Sequence, residues 1–562
     1  MQNESRYSSS PNFLLVVCDD LGFGDLSLHG NPLCRTPNLD RLAGEGVSAR
    51  RHYSGPLCAP ARACLLTGRY NYRSRVVDTY CGRSLMDPEE ETLGGLLRAG
   101  GYRTGLFGKW HLGDTPPFRP EDRGFDETLW HLGGGIGQPG DHPDNAGRES
   151  YFDPVLCRDG AFLRTEGYCT DIFTDRAVEF IRTHRDRPWF ACVAFNAPHT
   201  PLQVDAAAAS ALAARGATGD LAAYYAMVEN IDANVGRLLA ALEETRTAEK
   251  TVVVFTSDHG PDPHVRDGAG NAPFSAGLRG QKGSVHEGGV RVPCLWRGPG
   301  LARGAKVEEP THAIDIVPTF LTMAGLSPDR PRPFDGKNLR LLLGGEGAAE
   351  WPDRPLFLQW HRGDTPVARR NAAVVNRHRK WISLSEAGPE ELYDVSVDPG
   401  EENNLAGAET ATVERLRGLY DTWFRDVSGA HGFAPVAIPV RVAAQPLRLT
   451  RQDWRVFGAD GWDAETAARW VVRVEDPGEY EVEVGFDRAP EESGSVFLRA
   501  GQAVAAQPAV PGCARYVFCL ALAGGEVEIA AGWQTHFAAA SPMALQLKAV
   551  ATGDTKHRKS DQ

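Results

Sequence analysis

The 562-residue chain predicts an α/β fold built on a large, mostly parallel sheet flanked by helices, with a small α+β subdomain and an extra antiparallel β-sandwich behind it. Three observations carry this. Short unbroken apolar runs recur at 13–17, 189–195 and 251–256, as expected of strands buried on both faces of a parallel sheet. Helix-patterned segments such as 171–182 and 221–244 alternate with them, the signature of an α/β domain. Near the C-terminus, Glu479-Tyr480-Glu481-Val482-Glu483-Val484 alternates strictly, as a half-buried antiparallel strand does.

Taken in order, the elements divide the chain into a catalytic-sized α/β unit at 11–328, a small subdomain at 329–430 and an accessory β-sandwich at 432–550. A chain this long exceeds one core, so two to four domains are expected. In the first unit, Asp19 and Asp20 follow the first apolar run, His199 the second, and Asp258 and His259 the third. Ligands of parallel sheets gather beyond the carboxyl ends of the strands, so these clusters are expected on one rim. From about residue 330 the segments 356–360, 373–376 and 381–384 read as short antiparallel strands, with a helix near 414–426. Strand-like runs at 496–498, 516–522 and 527–529, separated by Gly and Pro, suggest a sandwich.

Composition narrows the function. Lys+Arg total 60 against Asp+Glu 73, a net charge of -13, which argues against a nucleic-acid partner needing a basic face. Eleven scattered cysteines do not form a disulfide framework. No apolar run approaches the roughly 20 residues that span a bilayer, so no membrane association is expected. The first ten residues lack the basic and apolar regions of a signal peptide, which reads as cytoplasmic, or as exported if a leader was removed.

The densest motif is Leu57-Cys58-Ala59-Pro60-Ala61-Arg62-Ala63-Cys64-Leu65-Leu66-Thr67-Gly68-Arg69. Alone, Cys-x-Pro-x-Arg is weak, because a cysteine is often a small buried hydrophobe. Its Leu-Thr-Gly-Arg extension, Cys18-Asp19-Asp20-Leu21-Gly22, Gly108-Lys109-Trp110-His111-Leu112-Gly113, Ala197-Pro198-His199-Thr200-Pro201, Thr256-Ser257-Asp258-His259-Gly260 and Gly280-Gln281-Lys282-Gly283-Ser284 follow one another in the order found in type I sulfatases. The chain resembles that family, of the alkaline phosphatase superfamily, over roughly residues 11–430, including Glu391-Leu392-Tyr393-Asp394 and the Asp398-Pro399-Gly400-Glu401 phrase after it.

The resemblance implies that Cys58 is oxidised to a formylglycine aldehyde by a formylglycine-generating enzyme. One hydroxyl of the hydrated aldehyde attacks sulfur, and the other then loses its proton so that sulfate is expelled. By the same resemblance Asp19, Asp20, Asp258 and His259, with position 58, hold one calcium ion. Arg62 and Lys109 steady the nucleophile and the sulfate, His111 takes the proton from the second hydroxyl, and His199 and Lys282 bind the ester and assist the leaving oxygen. Many relatives carry Asn where His259 stands, and an imidazole nitrogen is a less natural partner for calcium than a hard oxygen. Independently of any family, clustered carboxylates repel unless protonated or metal-bound, and a divalent cation would lower the pKa of an attacking oxygen. Lys109 and His111, two apart, would project to one side of an extended segment.

The expected activity is hydrolysis of sulfate monoesters of a small molecule or saccharide. The alternative within the superfamily is a phosphonate monoester or phosphodiester hydrolase. A third reading is a carbohydrate-binding protein, with Trp454, Trp462, Trp470 and Trp533 stacking on sugars. Gly133-Gly134-Gly135-Ile136-Gly137 reads as a loop near the site mouth, and His286-Glu287-Gly288-Gly289 as structural support. Trp130, His131, His142 and Arg266 fall where the family varies.

Overall fold

The computed structural model describes residues 10–550 apart from 148, 328–329, 346–350, 430, 445, 457–468, 535–538 and 541. Its centre is five parallel strands, β1 (Asn12–Cys18), β2 (Arg103–Lys109), β3 (Glu127–His131), β4 (Trp189–Ala194) and β5 (Thr251–Ser257), in the spatial order β5-β1-β4-β2-β3. Val17 pairs in register with Ala194 on one side and Thr256 on the other, so the three apolar runs end level. Alternate residues of β1 face opposite cores: Phe13, Leu15 and Val17 enter one cluster, Leu14, Val16 and Cys18 the other. That two-sided burial is why the strand reads as an unbroken apolar run.

The whole sheet has ten strands and is mixed. Cys294–Arg297 runs antiparallel beside β5, and Val155–Arg158 antiparallel beside β3. The latter belongs to a hairpin whose turn, Asp159-Gly160, has φ of 49° and 87°, a left-handed turn that suits a two-residue loop. Helix α1 (Cys58–Thr67) packs on one side of the sheet, and α2 (Cys169–Thr183) and α3 (Leu221–Glu244) on the other. The buried stripe of α3, Tyr224, Val228, Ile231, Val235, Leu238 and Leu242, follows helical spacing.

Beyond it, Leu356–Gln359, Ala372–Val375, Arg379–Ser383 and Glu390–Asp394 form an antiparallel meander. Helix Thr410–Gly429 covers it with Val413, Leu416, Tyr420, Trp423 and Val427. The C-terminal strands form two facing sheets, one containing Gly494–Ala500 and Gly525–Gln534, the other Gly478–Gly485 and Arg515–Leu522. The sequence reading missed Ile438–Val440, Leu447–Thr450, Trp470–Val474, Ala503–Ala509, Ala539–Ala540 and Ala544–Ala549, which belong to the same two sheets.

The sugar-stacking reading of the tryptophans is corrected here. Trp454 and Trp470 are fully buried and Trp533 is 4% exposed, because each indole fills the space between the two sheets. Trp462 lies outside the described residues. The same core continues onto Cys81, Leu85 and Phe118 of the first unit, so the sandwich is packed against the α/β body. Among the described residues no helix is long and apolar enough to cross a membrane.

Candidate active site

Three strand ends and one helix start converge. Asp19 and Asp20 leave β1, Asp258 and His259 leave β5, and the backbone N–H of Asp20 donates to Asp258 Oδ1 at 3.3 Å. Cys58 opens α1, and ligand atoms of Asp19, Cys58, Asp258 and His259 lie within 4.8 Å of one another. Asp19, Asp20, Cys58 and His199 form a second, overlapping set with the same closeness.

Buried cations neutralise the acids. Lys109, at the end of β2, donates to Asp19 Oδ2 at 2.5 Å, and Lys282 to Asp20 Oδ1 at 2.7 Å. Arg62, one turn after Cys58 on α1, donates through Nε and Nη2 to Asp258 Oδ2 at 3.1 and 2.9 Å and through Nη1 to the Lys109 carbonyl at 3.1 Å. Burial pushes Asp19 up, but Lys109 and the other cations around it outweigh that and hold it well below the usual carboxylate range. Asp20 is instead raised to about 6, because its burial exceeds the pull of Lys282.

Each histidine is oriented by a carbonyl, which can only accept, so the bonded nitrogen carries the proton. His259 Nδ1 donates to Gly260 O at 2.9 Å, leaving Nε2 with a lone pair 3.0 Å from Cys58 Sγ. His199 Nδ1 donates to Thr200 O at 2.5 Å, and Tyr151 fixes that turn by donating to the His199 carbonyl at 2.9 Å. His111 Nε2 donates to Thr79 O at 2.7 Å, while its buried Nδ1 has no hydrogen-bond partner among the described residues. Burial, aided by Lys109 for His111 and Lys282 for His199, lowers both, His199 to about 3 and His111 well below 6.5, so both are neutral.

The expected extended Lys109–His111 segment is not observed. The strand stops at Lys109, and His111 sits at φ 63°, in the left-handed region, so a turn rather than strand alternation brings it in. Opposite it, a Cβ on Gly134 would lie 2.9 Å from His111 Nε2, which is why this loop position must be glycine. The glycines of the His286 segment let the Lys282 loop close: a Cβ on Gly289 would fall 2.2 Å from Ser284 O, and one on Gly288 2.3 Å from Gly280 O. Of the residues left unassigned, Trp130 and His131 are buried and Arg266 donates to Gln281 Oε1 at 3.0 Å, beside Lys282. Thr79 was missed, because a backbone acceptor leaves no trace in residue type.

A family model described as Sulfatase matches residues 11–326. The chain belongs to the sulfatase family, within the alkaline phosphatase superfamily. A second model, N-sulphoglucosamine sulphohydrolase C-terminal, matches residues 281–417 of this sulfatase. It is 35% identical over 438 residues to N-acetylgalactosamine-6-sulfatase of Homo sapiens, covering 72% of this chain and 77% of that one. It is 32% identical to arylsulfatase A of Homo sapiens, covering 73% and 86%. Among solved structures, Ps i-CgsB bound to k-i-k-neocarrahexaose matches with a TM-score of 0.64 and 30% identity, over 74% of this chain and 92% of the other. A phosphonate monoester hydrolase of Agrobacterium radiobacter matches with a TM-score of 0.54 and 25% identity, over 75% and 96%.

Proposed function

We propose that this sulfatase cleaves sulfate monoesters of a sulfated saccharide, with an aldehyde hydrate derived from Cys58 as nucleophile and calcium beside it. The observation that carries this is the meeting of Cys58 with Asp19, Asp258 and His259 within 4.8 Å at the bottom of a cation-lined site. The encoded thiol does not serve: burial pushes Cys58 up to about 12 against the pull of Lys109 and Lys282, so it stays protonated at neutral pH.

The donor set fits a hard divalent cation. Asp19 Oδ1 is buried without a hydrogen-bond partner, three carboxylates converge, and the tautomer of His259 turns a lone pair inward. Asp19, Asp20, Asp258, His259 and position 58 would hold the ion, which would supply positive charge to the nucleophile and the sulfate. The hydrated aldehyde would supply two hydroxyls, one to attack sulfur and one to let the sulfate be expelled.

The remaining chemistry belongs to side chains. His111 accepts a proton at Nδ1, the only nitrogen its Thr79 contact leaves open. Lys282 stays charged, since Asp20 outweighs its burial, and donates toward the leaving oxygen. His199, unprotonated at Nε2, orients the ester beside it. Lys109 and Arg62 add fixed positive charge where the sulfate oxygens lie. Ps i-CgsB, with its bound k-i-k-neocarrahexaose, supports the saccharide reading, and the phosphonate hydrolase keeps the second reading in view.

The test is paired assays of the matured protein on an aryl sulfate and an aryl phosphonate. The expected result is a kcat/KM at least about 10²-fold higher for the sulfate, the scale of one positioned acid or base. Preference for the phosphonate would replace this reading with the alternative.

A further inference from the structure

The catalytic charges are not equally sheltered. The side chains of Asp19, Asp20, His259 and Lys109 have no exposure, that of His199 is 9% exposed and that of Lys282 14%. The site therefore opens toward Lys282, and the alcohol part of the ester lies on that side. The surface there is the loop joining Leu356–Gln359 to Ala372–Val375.

Trp360 in this loop is bracketed by neighbours of two catalytic residues. A Cβ on Gly283, directly after Lys282, would lie 3.2 Å from Trp360 Cζ3, and Asn371 Nδ2 donates to the carbonyls of Gly283 and Trp360 at 2.7 and 2.6 Å. On its other edge, Trp360 Nε1 donates to Asp78 Oδ1 at 3.2 Å, and Asp78 directly precedes Thr79, the acceptor for His111. The indole thus spans the mouth between Lys282 and the loop behind His111.

Arg362 lies over this plate. Its guanidinium is 5.1 Å from the Trp360 ring centre and 4.6 Å from that of Tyr80, and Nη1 donates to Asp78 Oδ1 at 2.7 Å. Its side chain is 35% exposed, whereas Asp78 is fully buried, so the pairing tethers one edge of the fork and leaves the rest toward solvent. Arg83 and Arg455, both buried on Asp364, back Arg362 from behind. The partly exposed indole offers apolar surface to sugar C–H groups, and a planar guanidinium offers paired donors to a carboxylate or sulfate.

From this arrangement we infer that Trp360 and Arg362 form a subsite for an anionic sugar unit adjoining the scissile sulfate, so that the preferred substrate is an acidic saccharide rather than a neutral alcohol. The inference rests on the sulfatase reading of the site. In a chain of net charge -13, an anionic ligand would otherwise be repelled, and the exposed part of the Arg362 guanidinium offsets that penalty at the mouth.

The experiment measures kcat/KM for the matured wild-type protein, Arg362→Gln and Trp360→Ala on three probes. These are an aryl sulfate, a 6-sulfated hexosamine disaccharide with an adjoining uronate, and the same disaccharide with that carboxylate reduced to the alcohol. Wild type is expected to prefer the uronate probe over its reduced form. Arg362→Gln should shrink that preference about tenfold, mainly through KM, the scale of one charge-assisted hydrogen bond. Trp360→Ala should lower kcat/KM for both saccharides relative to the aryl sulfate. Aryl sulfate turnover reports whether each variant is folded, and thermal melts confirm it. Equal losses on all three probes in Arg362→Gln, or a wild type indifferent to the carboxylate, overturn the subsite alone. A matured wild type that cleaves none of the sulfates overturns the sulfatase reading, and the subsite with it.

Discussion

Gln452 of the C-terminal sandwich and Thr79 of the α/β body meet at 2.7 Å, where Gln452 Nε2 donates to the carbonyl that also accepts from His111 Nε2. A carbonyl oxygen has two lone pairs, so both bonds form together. Gln452 also donates to Ser84 Oγ at 2.9 Å and accepts at its own carbonyl from Gly82 N at 2.9 Å. The sandwich therefore pins the loop that sets which nitrogen of His111 carries the proton.

Replacing Gln452 with Ala is expected to lower kcat on an aryl sulfate about 10- to 100-fold, the scale of a misplaced reacting group. KM should change little, since in the proposed mechanism His111 moves a proton and does not grip the ester. Kinetics and a thermal melt on the same preparation check this. A lowered melting temperature with unchanged kcat would show that Gln452 only glues the two units together.

His111 carries a pH prediction of its own. Burial, then the charge of Lys109, depresses its pKa well below 6.5, so its base form persists into acid. The acid limb of kcat attributable to this residue should fall below the ordinary histidine range, and His111→Gln should abolish that limb while lowering kcat about 10²–10⁴-fold. A pH–rate profile whose acid limb sits near 6.5 would assign it elsewhere.

How much of this was legible in the residues depends on whether a feature was carried by pattern or by distance. Three of the five central strands were readable because both their faces are buried, leaving unbroken apolar runs such as Val252-Val253-Val254-Phe255, whereas Arg103–Lys109 and Glu127–His131 carry too many polar and glycine positions to stand out. The strand-end acids were readable because strand ends place residues by rule. The turn that carries His111 was not readable, since nothing in Lys109-Trp110-His111 announces a φ of 63°. For the tryptophans of the sandwich the sequence left core packing and sugar stacking both open, because an indole at a core position and one on a surface look alike in sequence; the structure puts Trp454, Trp470 and Trp533 in the core. Gln452 lies 373 residues from Thr79, and no local spacing records such a contact.

Position 58 makes a covalent prediction. The peptide holding it should weigh about 18 Da less than its cysteine form when matured. Since Cys58 is 2% exposed at the foot of the site, an enzyme that oxidises it would have to reach it before folding closes over it. Folded, unmatured protein mixed with the maturation enzyme should keep its mass, while an unfolded chain or peptide loses those 18 Da, about one oxygen in exchange for H₂S. Cys58→Ser should fold, release one equivalent of alcohol and stall, because serine has no second hydroxyl to expel sulfate. Sustained turnover by that variant is the outcome that sinks the mechanism.

The contact between the sandwich and the α/β body carries the last prediction. Asp114 accepts from Gly133 N at 2.9 Å and from Thr450 Oγ1 of the sandwich at 3.4 Å, and it is raised well above its ordinary value by burial and by the charges of Asp453 and Asp141. Burial pushes Asp453 up to about 7. Two buried acids facing one another are most stable when protons remain on them. A carboxyl whose folded pKa is raised favours the folded state fully below its unfolded value near 3.8, and that contribution is lost as pH rises through about 7. The melting temperature should therefore fall between about pH 4 and pH 7, against the trend set by salt-bridged acids. Asp453→Asn, which keeps the shape and removes the titration, should flatten that fall and raise the melting temperature at the alkaline end. A wild type whose stability is level across this window, or an Asp453→Asn variant that still loses stability as steeply, would show that the two acids are not held protonated at this interface.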